Sequence, residues 1–212
     1  MLDFSYAYLH LLKTKYEGLN LTNILDQDEF YNKQIIDSIQ PYLESPIFKK
    51  WVQKTKVVVD VGFGGGFPIL PLAKLLPEVK FIGVESRRKK VDAVQDIAHE
   101  LKLSNVKLVH SRLEDVVFDK PCTITFKAVG TLINYLPIIH APHKDFAVFF
   151  YKGPGFKELE GKDMEKLSKD WKVIEDREVN VPGTQLRLLY GVEPQNVPRG
   201  TSKSLVKISQ FL

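Results

Sequence analysis

The stretch from Val57 to Ala73, VVVDVGFGGGFPILPLA, decides the fold that this chain adopts. A β-branched run over 57–61 stops at a glycine-rich turn, and an apolar helical run then continues to Leu76. This order of strand, glycine turn and helix predicts a βα unit whose loop lets a ligand approach the backbone, because glycine has no Cβ. A tight turn without a ligand is the alternative, but it needs fewer glycines than the four at positions 62–66.

The spacing of the glycines separates the possible ligand classes. Gly62, Gly64 and Gly66 read G-x-G-x-G, whereas a dinucleotide fingerprint needs glycine or alanine at position 67, which is Phe67 here. A phosphate-binding Gly-Lys-Ser/Thr sequence does not follow. A strand that ends in an acid before such a turn, here Asp60, is typical of a methyltransferase that holds S-adenosylmethionine. We expect Asp60 to orient the loop rather than to transfer a proton.

The composition is that of a soluble globular protein with one domain and an appendage. The chain has 212 residues, of which 44% are hydrophobic and 26% are charged. Its net charge of +4 permits an anionic partner but does not require one. The single cysteine, Cys122, excludes an internal disulfide and suits a reducing compartment. Because the sequence shows neither a signal-peptide layout nor a membrane-spanning apolar run, we expect a cytoplasmic protein.

Strands and helices alternate around the opening unit. Strands are predicted over 57–61, 80–85, 106–109, 122–129, 145–152, 171–179 and 186–192. Helices are predicted over segments that end near Leu76 and Leu103, and over 131–139 and 156–169. This alternation predicts a Rossmann-like α/β fold, with a mostly parallel sheet of these seven strands, helices on both faces and an antiparallel C-terminal hairpin.

Residues 1–50 are predicted to form an N-terminal helical extension, and residues 51–212 the Rossmann-like methyltransferase domain. An amphipathic helix is expected over 2–17, with an apolar face formed by Leu2, Tyr6, Leu9 and Leu12. A second helix is expected over 28–40 and is stopped by Pro41. Residues 41–56 are interpreted as a bridge into the first strand, and Ser86 as the N-cap of the helix after the second strand.

Charged residues stand at or near the carboxyl ends of the predicted strands, where ligands bind in open α/β sheets. Glu85 could accept hydrogen bonds from ribose hydroxyls, although a solvated acid near a helix start is the alternative. Lys127 lies in an otherwise apolar strand, so it is at the exposed end, ion-paired or functional. Together with Lys152 and Arg112, it suggests an anionic substrate such as RNA phosphate.

Two further segments border this predicted crevice. In the loop over 111–115, Leu113 could pack on an adenine base and Glu114 could meet its polar edge. The basic run over 87–90 falls in the first turn of a helix, where cations oppose the helix dipole. Contact with a polyanion and a solvated charge run both remain open for it. The five histidines lack ligand spacing, so no metal is expected.

Short motifs occur in a fixed order along the chain. They are Asn20-Leu21-Thr22, Ile36-Asp37-Ser38-Ile39, Asp60 to Ala73, Glu85-Ser86 with Lys89-Lys90, Ser111 to Asp115, Lys127-Ala128-Val129, Lys152-Gly153 and Pro198-Arg199-Gly200. Each motif is weak by itself, but the order and spacing are specific. With them the chain resembles the RsmG (GidB) family, the bacterial 16S ribosomal RNA guanine-N7 methyltransferases, from about Leu9 to Lys203.

The resemblance implies the class I methyltransferase fold, S-adenosylmethionine as cofactor, and a monomer that acts on 16S ribosomal RNA or a small-subunit assembly particle. Cofactor contacts are expected from Asp60, Gly62, Phe63, Gly64, Gly66, Phe67, Glu85, Ser86, Leu113, Glu114 and Lys127. Catalytic roles, by positioning rather than by activation, are expected from Arg112, Lys127 and Lys152. RNA contacts are expected from Lys33, Arg87, Lys89, Lys90, Arg199 and Lys203. Because guanine N7 bears no proton, its attack on the methyl group needs no general base.

The chain also departs from the family pattern. Lys33-Gln34 replaces an Arg-His pair, Lys127 replaces an arginine, Ile69 replaces a glycine, and the Trp-Asn that usually precedes the first motif is missing. Arginine and lysine are not interchangeable in bidentate contacts, so these changes concern the substrate more than the cofactor. The alternatives are a non-catalytic or differently targeted RNA-binding paralogue, a nucleotide-dependent oxidoreductase and a small-molecule methyltransferase.

Overall fold

The computed structural model describes residues 1–197 and 206–212. Two predicted RNA contacts, Arg199 and Lys203, lie outside the described residues, as does the Pro198-Arg199-Gly200 motif.

A mixed sheet organises the described part of the chain. The strands are β1 (Val57–Val61), β2 (Lys80–Glu85), β3 (Val106–His110), β4 (Val116–Val117), β5 (Cys122–Lys127), β6 (Phe146–Lys152), β7 (Trp171–Val179), β8 (Arg187–Pro194) and β9 (Val206–Lys207). Seven of them form one sheet in the order β3-β2-β1-β5-β6-β8-β7, while β4 and β9 form a separate parallel pair. The first five strands of that order are parallel and β8 is antiparallel to both neighbours, which confirms the predicted fold class.

Helices cover this sheet and precede it. They are α1 (Leu2–Thr14), α2 (Gln27–Phe30), α3 (Asp37–Glu44), α4 (Pro46–Thr55), α5 (Ile69–Leu75), α6 (Arg88–Glu100), α7 (Leu132–Tyr135) and α8 (Phe156–Leu167). A π-helical segment, Tyr31–Ile36, joins α2 to α3. The strand β1 is buried along its whole length, as expected for a parallel strand with helices on both faces. Its Val58 packs into the core that contains α1 to α6, and Val59 into the core that contains α7 and α8.

The apolar face of α1 differs from the predicted one. Leu9 and Leu12 are buried as expected, but Leu2 and Tyr6 are 54% and 57% exposed. Phe4 and Tyr8 are buried in their place. The prediction followed the spacing of the leucines, whereas the helix turns its aromatic pair toward the glycine loop. The helix also ends at Thr14, before the predicted end at residue 17.

The segment after the second predicted helix was wrongly predicted. Pro41 lies inside α3 and is buried, so it does not stop the helix. Burial of this turn offsets the hydrogen bond that proline cannot donate. The supposed bridge over 41–56 contains α4, which Ser45 caps by accepting the Phe48 amide at 2.9 Å. The proposed domain boundary between residues 50 and 51 falls inside this helix.

Arg87, rather than Ser86, is the N-cap residue of α6. The helix begins at Arg88, and its first residues receive no side-chain cap from Ser86. The Glu85 carboxylate instead accepts the Arg87 amide at 3.0 Å. The predicted cap is therefore wrong, because the helix starts one residue later than a cap at Ser86 requires.

Candidate functional site

The glycine loop between β1 and α5 is held by the N-terminal helices. A Cβ on Gly65 would collide with the carbonyl oxygen of Leu21, so the backbone of that segment requires glycine there. The Tyr8 hydroxyl donates to the Gly65 carbonyl, and the Tyr8 ring stacks on Phe67 with 5.1 Å between centroids. Part of the glycine run therefore serves packing. Gly64 is different: it has a φ of 55° and no protein atom nearer than 3.9 Å to the position of a Cβ.

Asp60 lies beneath this loop and is fully buried. The Thr125 hydroxyl donates to one of its carboxylate oxygens at 2.7 Å. The other oxygen has no hydrogen-bond partner among the described residues. Burial raises the pKa of the Asp60 carboxyl to about 7. The side-chain hydrogen bond of Asp60 therefore joins β1 to β5, and its expected role in orienting the loop stays a prediction.

A cavity of about 310 Å³ opens beside the glycine loop, and we call it the glycine-loop cavity. It is lined by Val61, Gly62, Val84, Glu85, Ser86, Ser111, Arg112, Leu113, Glu114, Val129, Asn134, Tyr135 and Ile138. Of the predicted cofactor contacts, the structure brings Gly62, Glu85, Ser86, Leu113 and Glu114 together here.

Glu85 is the acid of this cavity. It is 8% exposed, and its carboxylate accepts the amides of Gly64 at 3.2 Å and Arg87 at 3.0 Å. These bonds fix the carboxylate between the loop and α6. Since a carboxylate offers about four lone-pair sites, Glu85 can still accept hydrogen bonds from a ligand.

Other predicted cofactor contacts do not line the glycine-loop cavity. The side chains of Phe63 and Phe67 are buried in the core and anchor the loop to it. Lys127 lies on a second cavity. Sequence reasoning missed Asn134 and Tyr135, which α7 places on the wall. Their only sequence signal is their position just after the strand end at Lys127.

The second cavity, of about 340 Å³, is the strand-end cleft. It is lined by Ile24, Lys33, Gln34, Asp37, Pro41, Lys127, Ala128, Tyr151, Lys152, Gly153, Arg187 and Leu188. Four of these residues are cationic and one is acidic. The cleft therefore combines two predicted catalytic lysines with the predicted RNA contact Lys33.

Asp37 is the centre of the charges in the strand-end cleft. Its carboxylate, 5% exposed, lies 2.9 Å from Lys127 Nζ and 2.7 Å from Arg187 Nε. Lys127 is thus ion-paired, which confirms one of the alternatives that its apolar strand left open. Arg187 was missed by sequence reasoning, and its signal was a charge between two leucines at the start of a strand.

Lys152 is held more firmly than an open substrate contact would be. Its Nζ lies 2.7 Å from the Glu160 carboxylate and donates to the Gly130 carbonyl at 2.9 Å. Glu160 also accepts the Leu132 amide at 2.7 Å. Lys152 therefore joins the end of β6 to α8 and to the loop after β5.

The three predicted catalytic residues divide between the cavities. Arg112 lines the glycine-loop cavity, whereas Lys127 and Lys152 line the strand-end cleft. Residues 127–129 separate the two: Lys127 faces the cleft and Val129 faces the glycine-loop cavity. Ala128 between them has a φ of 54°, which residues with a side chain rarely adopt.

The remaining predicted RNA contacts lie on or near α6 and α2. Arg87 and Lys89 are exposed, and Lys90 is half-buried. Lys33 is paired with Glu29 one turn earlier in the same helical segment. Among the described residues, no three potential metal ligands lie together. None of the helices that the structure describes is long and apolar enough to cross a membrane.

Comparison with known proteins identifies similar sequences. The model of the GidB family, described as rRNA small subunit methyltransferase G, matches residues 4–188. A ribosomal RNA small subunit methyltransferase G from Klebsiella pneumoniae is 32% identical over 182 residues, which cover 83% of this chain and 80% of the relative. A protein of the same name from Lactobacillus helveticus is 34% identical over 188 residues, covering 84% and 75%.

Solved structures share the fold. Magnesium protoporphyrin IX methyltransferase from Synechocystis PCC 6803, with bound SAM, has a TM-score of 0.54 to this chain at 14% identity. The match covers 91% of this chain and 98% of that structure. At this identity the likeness concerns the fold, which is the Rossmann-like methyltransferase fold.

Proposed function

Because the chain belongs to the GidB family, rRNA small subunit methyltransferase G, we propose that it methylates guanine N7 in 16S ribosomal RNA. Methylation of small-subunit ribosomal RNA is the activity for which the family is named, and S-adenosylmethionine is the methyl donor. The finer assignment to guanine N7 rests on the ordered motifs of the sequence.

One observation supports this function above the others. The glycine-loop cavity and the strand-end cleft lie on opposite sides of residues 127–129, at the carboxyl ends of the parallel strands. The first has an acid, Glu85, beside a glycine loop, and the second has four cations, which pair with the three acids Glu29, Asp37 and Glu160 and leave an excess of positive charge. Such a pair of sites suits a donor with ribose hydroxyls and an acceptor with phosphates.

The residues of the glycine-loop cavity fit S-adenosylmethionine. Glu85 would accept the ribose hydroxyls, while Leu113 and Glu114 would hold the adenine. The amino-acid end would extend along the loop, where Gly64 leaves open space. When bound, the cofactor supplies a methyl group on a sulfonium, which is activated for in-line transfer.

The strand-end cleft would position the guanine. N7 is the attacking atom, so a cation that donated to N7 would occupy the lone pair that must react. We therefore assign Lys127 and Arg187 to the phosphates or to O6 of the guanine. Asp37 keeps both cations in place, and catalysis then depends on positioning.

We further propose that the chain acts as a monomer in the cytoplasm, on free ribosomal RNA or on an assembling small subunit. The electrostatic part of RNA binding releases counterions, so affinity should fall steadily as salt is raised.

The test uses purified protein, radiolabelled methyl donor and small-subunit RNA. We expect label in the RNA with the wild-type chain and a loss of at least about tenfold with Lys127→Ala, since a lost charged contact is worth about 1.5–3 kcal/mol. Calorimetry should show unchanged cofactor affinity in that variant, because Lys127 lines the other cavity. The control is Lys172→Ala, at an exposed lysine of β7 that is paired with Glu193.

Normal turnover by the Lys127→Ala variant would contradict the role assigned to the strand-end cleft. Cofactor binding without any transfer by the wild-type chain would instead favour the non-catalytic paralogue.

A further inference from the structure

The ammonium group of Lys90 lies over the glycine loop. Its Nζ is 4.0 Å from the point where a Cβ of Gly64 would stand. The other glycines of the run are occupied by the protein itself: a Cβ on Gly65 would meet Leu21, and one on Gly62 would lie 2.8 Å from a methyl of Val129. Gly64 is thus the position of the run at which open space adjoins a cation.

Lys90 forms no ion pair with any residue in the described part of the protein. Its neighbour Arg88 is paired with Asp92 at 2.9 Å. The nearby acid Glu85 accepts backbone amides on both of its oxygens instead. An anionic ligand above the glycine loop could therefore pair with the Lys90 ammonium group without displacing an acid of the described residues.

The proposed cofactor offers such an anion. If Glu85 takes the ribose and Leu113 packs on the adenine, the amino-acid part remains to extend along the loop. That part ends in a carboxylate, and Gly64 is the place where the loop leaves room for it. We propose that Lys90 binds the carboxylate of the methionine part of the cofactor. This inference rests on the proposed function and moves Lys90 from the predicted RNA contacts to the cofactor site.

An RNA phosphate is the competing partner, because it offers the same charge. The half-buried position of Lys90 beside the loop favours the cofactor, whereas its neighbours Arg87 and Lys89 are exposed. A ligand that lacks only the carboxylate separates the two partners.

The experiment measures binding of S-adenosylmethionine and of its decarboxylated form by calorimetry, without RNA. The variants are Lys90→Met, Lys90→Arg and the control Lys172→Met, at an exposed lysine of β7. We expect Lys90→Met to weaken S-adenosylmethionine binding about tenfold, the typical effect of one charge-assisted hydrogen bond. The decarboxylated form should bind wild type and Lys90→Met equally. Lys90→Arg should retain most of the affinity, and Lys172→Met all of it.

Two results would overturn the inference. Equal weakening of both ligands by Lys90→Met would mean that the residue supports the site generally, and thermal unfolding of each variant shows whether the fold has changed. Unchanged affinity of Lys90→Met for S-adenosylmethionine would overturn the inference by itself, and a raised KM for RNA in a separate methylation assay would then assign Lys90 to a phosphate. If the wild-type chain binds neither ligand, the proposed function fails as well, which distinguishes that failure from the failure of Lys90 alone.

Discussion

The buried carboxyl of Asp60 makes the stability of the folded chain depend on pH. Its pKa is raised by burial from 3.8 to about 7. Between pH 3.8 and about 7, Asp60 therefore keeps its proton in the folded chain but has released it in the unfolded chain. The stability that it contributes is complete below pH 4 and is lost as the pH rises toward about 7.

Asp60→Asn removes this titration while keeping the shape of the side chain. We expect the variant to gain stability relative to wild type as the pH rises from 5 to 8, by about 1 kcal/mol or more, since one pKa unit corresponds to about 1.4 kcal/mol. Urea unfolding of both proteins at the two pH values measures the difference. If the free energies of unfolding of variant and wild type differ by the same amount at both pH values, Asp60 does not titrate in this range.

Asp37 is a second buried acid, and it pairs with two cations, Lys127 and Arg187. Asp37→Asn would leave Lys127 and Arg187 without their carboxylate. Since breaking a buried pair costs about 3–5 kcal/mol, we expect a loss of about 3 kcal/mol in the free energy of unfolding. The control, Asp92→Asn, removes an exposed pair with Arg88 and should cost less than about 1 kcal/mol. Equal losses in the two variants would show that the Asp37 cluster is solvated.

At the scale of elements, the glycine loop has two sides with different tasks. Gly65 faces the Leu21 backbone, and Gly64 faces open space. We expect Gly65→Ala to lower the midpoint of unfolding, because the added Cβ meets a carbonyl oxygen. We expect Gly64→Val to lose cofactor binding, because its side chain fills the space over the loop, and to lower the midpoint of unfolding less than Gly65→Ala does, because the cost there is a strained φ of 55° and not a collision with backbone.

Calorimetry and urea unfolding on both variants check this division. Unchanged affinity for S-adenosylmethionine in the Gly64→Val variant would disagree with the assigned binding face. An unchanged midpoint in the Gly65→Ala variant would disagree with the packing of Leu21.

The inner strands were predictable because burial on both faces leaves continuous apolar runs, whereas the edge strand β7, which is mostly exposed or half-buried, was predicted from its place in a hairpin. β2 and β7 begin and end where the sequence predicted, at Lys80–Glu85 and Trp171–Val179. The helices before β1 were harder. Local rules assigned a stop to Pro41, but tertiary packing keeps the helix intact, and the Ser45-Pro46 start of α4 was overlooked. The residue types in such a segment do not reveal whether the local preference of proline or the tertiary packing of the helix prevails.

At the scale of the whole molecule, the N-terminal helices are part of the site. Asp37 reaches Arg187 across 150 positions of sequence, and Tyr8 reaches Gly65 across 57. Sequence order could place Glu85 and Lys127 at strand ends, because topology sets where strands finish. It could not reveal that Lys127 turns toward Asp37 and away from the glycine-loop cavity, since that depends on a tertiary pairing.

The central claim is that this chain methylates guanine N7 in small-subunit ribosomal RNA. Mass mapping of that RNA, from cells with the gene, without it, and with the gene restored, tests this claim most directly. We predict one N7-methylguanine that is absent without the gene and returns with the wild-type copy but not with a Lys127→Ala copy. An identical methylation map in all of these cells would contradict the account.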